Sequence, residues 1–261
     1  MPFTILLTND DGIEAPGIRA MFEALRTLGN VTVAAPTEER SAVSHAISIH
    51  HPVGVYDHHG KGGYRGYAVA GTPADCVKVA VRHLMTPPPD LVVSGMNYGA
   101  NVGANVLYSG TVAAAVEGGM AGIRSVAVSL EATARPRFEE AARMAREAIE
   151  RVAFGKHCPL VTNVNIPARP AKKIKGWKVT HHEIRTEREL FEPETEPDGR
   201  RRFRPLWSPA QMPPETGSDC HWLEEGYITI TPLRIDMTDT AALETLSKEI
   251  AEENGGDRRS R

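Results

Sequence analysis

Asp10 and Asp11 are adjacent carboxylates at the end of the apolar run Phe3–Leu7, flanked by Asn9 and Gly12 in the stretch ILLTNDDG. Two such charges 4 Å apart repel by about 4 kcal/mol at an effective dielectric of about 20, so a chain that gathers them at a strand end has reason to bring a cation there. A divalent metal is the obvious candidate. The same letters also build an ordinary strand-to-helix turn, with Asp11 beginning a cap, and this stretch alone leaves both readings open.

Two later stretches bring further oxygen donors. Ser41 lies in the loop after the apolar run Val31–Ala35, and Asn97 follows Asp90–Ser94 (DLVVS). Carboxylate, hydroxyl and amide oxygens are hard donors that suit Mg²⁺, Mn²⁺ or Ca²⁺ better than zinc. Ser109-Gly110-Thr111 then opens a helix over VAAAVEGGMAG, and a helix N-terminus offers N–H groups, here with two hydroxyls, to an anion such as phosphate. A metal beside an anion site reads as phosphate-ester chemistry. Each part also has a plainer reading: Ser109 or Thr111 as an N-cap, Asn97, Asn101 and Asn105 as shapers of an irregular loop, and His45, His50, His51, His58 and His59 as surface residues of a hairpin.

The elements that must position these residues follow from periodicity and punctuation. Pro16 begins a helix whose apolar positions Ile18, Met21, Phe22 and Leu25 run up to Gly29-Asn30, and Val31–Ala35 is the next buried strand. This strand-helix-strand unit puts the acidic loop at a strand's carboxyl end, where open α/β sheets bind ligands. Residues 37–70 read as a β-hairpin flap with alternation around Ala46–Val55. Thr72-Pro73-Ala74-Asp75 starts a helix, Ser125–Leu130 and Leu160–Ile166 are core strands, and Arg137–Val152 is an amphipathic helix.

Beyond about residue 170 the composition changes. Ile174–Thr180 and Tyr227–Pro232 predict short strands, Glu183–Pro205 a solvated excursion, Ala241–Ala251 a terminal helix and Glu252–Arg261 a disordered tail. The expected fold is α/β, a Rossmann-like three-layer core with a mostly parallel sheet over residues 1–170 and a C-terminal extension over residues 171–261.

Several classes are excluded by composition. The 261 residues carry a formal net charge of -3, with Lys plus Arg at 30 against Asp plus Glu at 33, so no bulk field favours a nucleic-acid polymer or an anionic membrane. Cys76, Cys158 and Cys220 have no ligand-like spacing and read as reduced thiols of a cytoplasmic protein, and no apolar run approaches the ~18 residues of a membrane span. Neither GxxxxGK[ST], GxGxxG after the first strand, nor GxSxG occurs.

TNDDG with Ala15-Pro16-Gly17-Ile18, the AAP…ERS stretch at Ala34–Ser41, GTPADCV at Gly71–Val77, PDLVVSGMNYGANVG at Pro89–Gly103 and YSGTVAAAVEG at Tyr108–Gly118 together resemble the SurE family of survival-protein nucleotidases. NVNIP at Asn163–Pro167 and ITPLRIDMT at Ile230–Thr238 extend the resemblance nearly to the C-terminus. It implies a metal-dependent phosphatase acting on nucleoside monophosphates, in some members also on 3′-nucleotides or short polyphosphate. One divalent metal would be held by Asp10, Asp11, Ser41 and Asn97, and Asp10 and Asp11 would be catalytic. Asn9, Asn97, Asn101, Ser109, Gly110 and Thr111 would serve the phosphate.

The resemblance further implies a dimer or tetramer with the C-terminal hairpin and helix exchanged between subunits. The sequence departs from the family pattern at Ala42, where Gly is common, at Ser48, where Thr is usual, and at Asn105, where an acid is frequent. Rival readings are an aspartyl-phosphate phosphatase, whose DxDx[TV] spacing TNDDG does not match, a receiver domain, and a non-catalytic metal- or nucleotide-binding module.

Overall fold

A computed structural model describes residues 3–60, 64–184, 190–195, 200–206 and 213–256. Strand β1 (Thr4–Thr8) carries Ile5 and Leu7 to one face and Leu6 to the other, so the period-two alternation of a pleated strand feeds two cores at once. Helix α1 (Pro16–Leu25) has Pro at its start and buries Ile18, Met21 and Leu25. Strand β2 (Asn30–Pro36) lies parallel to β1.

Strands β3 (Gly54–His59) and β4 (Arg65–Ala70) form an antiparallel hairpin, but β4 also pairs in parallel with β2, so this hairpin is the edge of the main sheet. The alternation over Ala46–Val53 is not a strand: residues 37–53 run as turns and coil, anchored by side chains. Helix α2 (Pro73–Val79) opens with a capping box in which Thr72 and Asp75 bond each other's backbone N–H, and a π-helical turn, Ala80–Leu84, continues it.

Strand β5 (Leu91–Tyr98) is longer than its apolar letters suggest. Its pairing with β6 (Arg124–Leu130) slips between Ser94 and Asn97, and this bulge carries the strand on through Asn97. Helices α3 (Asn105–Tyr108), α4 (Gly110–Met120) and α5 (Phe138–Phe154) and strand β7 (Val161–Ile166) complete the expected core. Strand β8 (Trp177–Val179), the hairpin β9 (Leu190–Thr195) and β10 (Arg201–Leu206), helix α6 (Asp219–Glu225), strand β11 (Ile228–Leu233) and helix α7 (Thr240–Gly256) follow.

The nine-stranded sheet has the order β3-β4-β2-β1-β5-β6-β7-β11-β8. It does not stop at residue 170. β11 pairs antiparallel with β7 and parallel with β8, because its Ile228 and Ile230 join the same apolar core as Ile166. Helices α1 and α5 cover one face of the sheet, while α2 and α4 cover the other through Cys76, Val77, Ala80 and Ala114 against Leu6, Ala34 and Val92. The result is the three-layer α/β arrangement expected.

In the stretch expected to be a solvated excursion, β9 and β10 pair with each other; residues 185–189 and 196–199 lie outside the described residues. The terminal helix runs on to Gly256, five residues into the expected tail, whose remainder is likewise outside them. None of the helices among the described residues is long and apolar enough to cross a membrane.

Candidate functional site

The parallel strands β1, β2 and β5 end on the same side of the sheet, and the loops beyond them meet. The Asp10 carbonyl accepts the Arg40 N–H at 2.7 Å, and the Pro36 carbonyl accepts that of Ile13 at 2.9 Å, which joins the loops after β1 and β2. Gly12 makes the turn at φ +97°, and a Cβ there would meet the Glu38 carbonyl carbon at 3.3 Å. Tyr64, from the hairpin, buries its ring and donates its hydroxyl to the Ile13 carbonyl.

Asp10 is only 5% exposed and is held by α4. Thr111 donates its N–H to Asp10 Oδ2 at 3.1 Å and its hydroxyl to Oδ1, while a Cβ on Gly110 would lie 3.0 Å from the Asp10 Cβ and Oδ2. The missing side chain at 110 is what lets the carboxylate reach the helix end. Ser109 is the N-cap, accepting from Val112 N–H at 3.1 Å, as its plainer reading required. Asp11 Oδ2 accepts the Tyr98 N–H at 3.2 Å, which ties the acidic loop to the end of β5.

Burial drives both acids toward the protonated form. The Asp10 pKa is raised by desolvation, against the hydrogen bonds from Thr111, and that of Asp11 is pushed up to about 7 by desolvation and then by the Asp10 charge. Glu39 raises both further, and among the described residues no basic side chain pairs with either. Two half-buried or buried acids thus share a place where no basic side chain among the described residues balances them.

The other predicted residues are placed as follows. Ser41 is exposed and donates to Glu39 Oε1 at 2.6 Å. Asn97 spends its amide nitrogen on the Gly99 carbonyl at 2.7 Å, and its amide oxygen has no hydrogen bond among the described residues. Asn9 donates to the Gly12 carbonyl at 2.9 Å, and its buried Oδ1 is without a partner. Asn101 faces inward: its amide donates to Ser129 Oγ at 2.8 Å, and its backbone is gripped by Asn163 and Asn165, so it pins the loop after β5 to β6 and β7.

The donor set is two carboxylates with a hydroxyl and an amide, and no group of three or more His, Cys, Asp or Glu among the described residues could hold a metal. Neutral oxygens must therefore fill the set. The orphaned Asn9 oxygen, the uncommitted Asn97 oxygen and the uncompensated acid pair fit a hard cation. A cavity of about 510 Å³ between α1 and α5, lined by Arg19, Glu23, Glu139 and Arg143 among others, lies away from all of these residues.

Sequence reading missed Glu39, whose spacing of two from Ser41 was the available signal, and the Tyr98 N–H, which no side-chain pattern announces. It also missed Asp219, fully buried on α6, which accepts the Gly103 and Cys220 N–H groups at 2.9 Å and the Glu183 N–H at 3.2 Å and pairs with His182 Nδ1 at 2.7 Å. Burial opposes its charge, but the His182 and backbone bonds outweigh that and lower its pKa. This residue fastens the loop after β5 to the C-terminal region.

Ala42 sits at φ +54° and Ser44 at φ +52° in the loop that carries Ser41. The left-handed region costs an L-residue roughly 1–2 kcal/mol, and Gly would lose roughly 0.4–1 kcal/mol of that gain through its freer unfolded state. Ala42→Gly is therefore expected to stabilise the protein by about 0.5 kcal/mol, raising the melting temperature by about 1–2 °C in a thermal melt. An unchanged or lower melting temperature would contradict this backbone assignment.

Known proteins resemble this chain over most of its length. The family described as "Survival protein SurE" matches residues 5–189. The 5′-nucleotidase SurE of Nitratidesulfovibrio vulgaris strain Hildenborough is 44% identical over 253 residues, covering 93% of this chain and 98% of that protein. That of Syntrophobacter fumaroxidans is 42% identical over 245 residues, covering 94% and 98%. The crystal structure of the SurE protein from Aquifex aeolicus superposes with a TM-score of 0.81 at 35% identity, over 94% of this chain and 98% of that one. With strand ends, acid pair and helix N-terminus in the places described, the chain belongs to the SurE survival-protein family and is a hydrolase of that family's phosphoesterase and nucleotidase kind.

Proposed function

We propose that the protein removes phosphate from nucleoside monophosphates at the Asp10–Asp11 site, with one divalent ion held by Asp10, Asp11, Ser41 and Asn97. The observation that carries this reading is the pair of adjacent acids, one of them 5% exposed, with no basic side chain paired to them among the described residues. When bound, a hard divalent ion supplies positive charge for phosphate oxygens and acidity for a water molecule. Asp11, with one oxygen committed to Tyr98 and the other open, orients the attacking water and takes its proton.

Asp10 is fixed in place by Thr111, so its geometry is set before substrate arrives. The phosphate side is the N-terminus of α4 at Ser109 and Gly110, where the positive end of the helix favours the charge that develops. The Thr111 donors serve Asp10, the Asn101 amide serves Ser129, and the amide nitrogens of Asn9 and Asn97 serve Gly12 and Gly99, so these four residues shape the site around it. The test is phosphate release from 5′- and 3′-nucleoside monophosphates, p-nitrophenyl phosphate and polyphosphate, in EDTA and with Mg²⁺, Mn²⁺, Ca²⁺ or Zn²⁺ restored. Release abolished by EDTA and recovered with a hard ion is expected. No release with any of these metals would end the reading.

We infer also that α7 and the β9–β10 hairpin pack on a second copy of the chain, in a dimer or tetramer working in the cytoplasm. All side chains from Thr240 to Glu253 are exposed, yet Leu243, Leu246 and Ile250, each 54–55% exposed, recur at helical spacing. β9 and β10 pair only with each other among the described residues, with Phe191 and Phe203 exposed. The double variant Leu246→Glu and Ile250→Glu is expected to lower the particle mass in light scattering. A wild-type protein that runs as a monomer would refute the assembly.

A further inference from the structure

The loop over residues 37–53 carries Ser41 without a helix or strand to stiffen it, and its position depends on scattered backbone and side-chain anchors, the Arg40 N–H on the Asp10 carbonyl among them. Ser44 donates its N–H to the Tyr108 carbonyl at 2.9 Å and its hydroxyl to that of Leu107 at 2.7 Å. Thr72 donates to the Ala46 carbonyl at 2.7 Å, and Ser48 bonds Asp75 through its N–H and its hydroxyl. One anchor is different in kind. His45 Nε2 lies 2.9 Å from Oε2 of Glu117, whose side chain is 8% exposed and whose Oε1 receives Lys78 Nζ at 2.7 Å.

A buried carboxylate persists only with partners that replace its water, and Glu117 draws these from α2 on one oxygen and from the Ser41 loop on the other. It stands on α4, the helix whose first turn grips Asp10 through Thr111. One rigid helix therefore holds Asp10 at its end and the loop of Ser41 along its side. None of the chemistry proposed above uses His45, Glu117 or Lys78.

We propose that Glu117 and His45 are a positioning pair that sets the Ser41 hydroxyl against Asp10 and Asp11, by bolting the Ser41 loop to the helix that already holds Asp10. The proposal rests on the metal-site reading. Ser41 is held from both sides, by the Arg40 N–H on the Asp10 carbonyl at 2.7 Å just before it and by His45 on Glu117 four residues after it, since its own hydroxyl goes only to Glu39 in the same loop. Lys78 serves the other oxygen, bracing α2 to α4, with its hydrogen bond going to Glu117 rather than to the loop.

The test is Mn²⁺ binding to the full chain by titration calorimetry, with melting temperatures measured alongside in EDTA. Asp10→Asn is expected to abolish binding, and His45→Ala to weaken it about tenfold, the scale of an outer partner that orients a ligand. His45→Gln, whose amide can still donate to Glu117, should recover binding to within about threefold, and Lys78→Met should stay within about twofold of wild type. His45→Ala binding Mn²⁺ like wild type while Asp10→Asn does not would overturn the positioning pair. So would equal weakening by His45→Ala and Lys78→Met, which marks Glu117 as a packing brace. Wild-type binding by Asp10→Asn would instead sink the metal-site reading.

Discussion

Asp10→Asn and Asp11→Asn are each expected to cut phosphate release by at least about a hundredfold, the scale on which single groups at a reacting centre act, without unfolding the protein. The two effects come from one cause. Each carboxylate is held in a place that disfavours its charge, by burial for both and by its neighbour's charge for Asp11. An amide removes that opposition, so the variants should melt no lower than wild type in EDTA at pH 8. It also removes a charged donor from the cation and, at position 11, the group assigned to the water's proton. At position 10 the amide can still accept from Thr111 through its remaining oxygen. A variant that keeps wild-type turnover, measured as phosphate release with Mg²⁺ or Mn²⁺ added, would remove that residue from the mechanism.

Stabilisation by a divalent ion is expected to grow with pH across the range 5 to 8. The Asp11 pKa rises from 3.8 to about 7 on folding, and that of Asp10 rises too. The folded, metal-free protein therefore binds more protons than the unfolded chain between these values, and its stability falls as pH rises through the folded pKa. The contribution is fully present below 3.8 and lost above about 7. A cation competes with these protons, so it binds weakly at pH 5 and fully above pH 7.

Asp75 and Asp219, whose pKa values are lowered, change stability at the acid end, where they lose their contribution as pH falls through the folded pKa, and leave this window undisturbed. At about 100 times its dissociation constant an ion adds about 2.7 kcal/mol, or a rise of roughly 5–10 °C in melting temperature. Scanning fluorimetry with Mn²⁺ and with EDTA should show that rise at pH 8, little of it at pH 5, and a flattened profile in Asp11→Asn. A rise independent of pH would show that the carboxylate pair is not where the ion binds.

Features set by a few neighbouring residues are legible in the sequence. The Thr72-Pro73-Ala74-Asp75 capping box, the Pro16 helix start, the Ser109 cap and the buried runs of β1, β2 and β6 all stand where the letters place them. Features set by distant pairing are not. The letters assign Asn97 to a loop, but the bulge after Ser94 keeps it on β5, and a bulge depends on the partner strand. Strands β9 and β10 look merely polar in sequence because, among the described residues, they pair only with each other, and β11 finds its place between β7 and β8 only through pairing across the sheet.

The same division runs through the site. The donors, their hard-oxygen character and their arrival at strand ends are written in short stretches of chain, since strand, turn and cap are local choices of the backbone. Packing over long separations is what makes α4 take Asp10 into its first turn, turns Asn101 inward to Ser129, and brings His45 to a buried Glu117. The physical reason is burial: desolvation, and the absence among the described residues of a paired basic side chain, arise when three loops and a helix close on one point, and no stretch of sequence contains them alone.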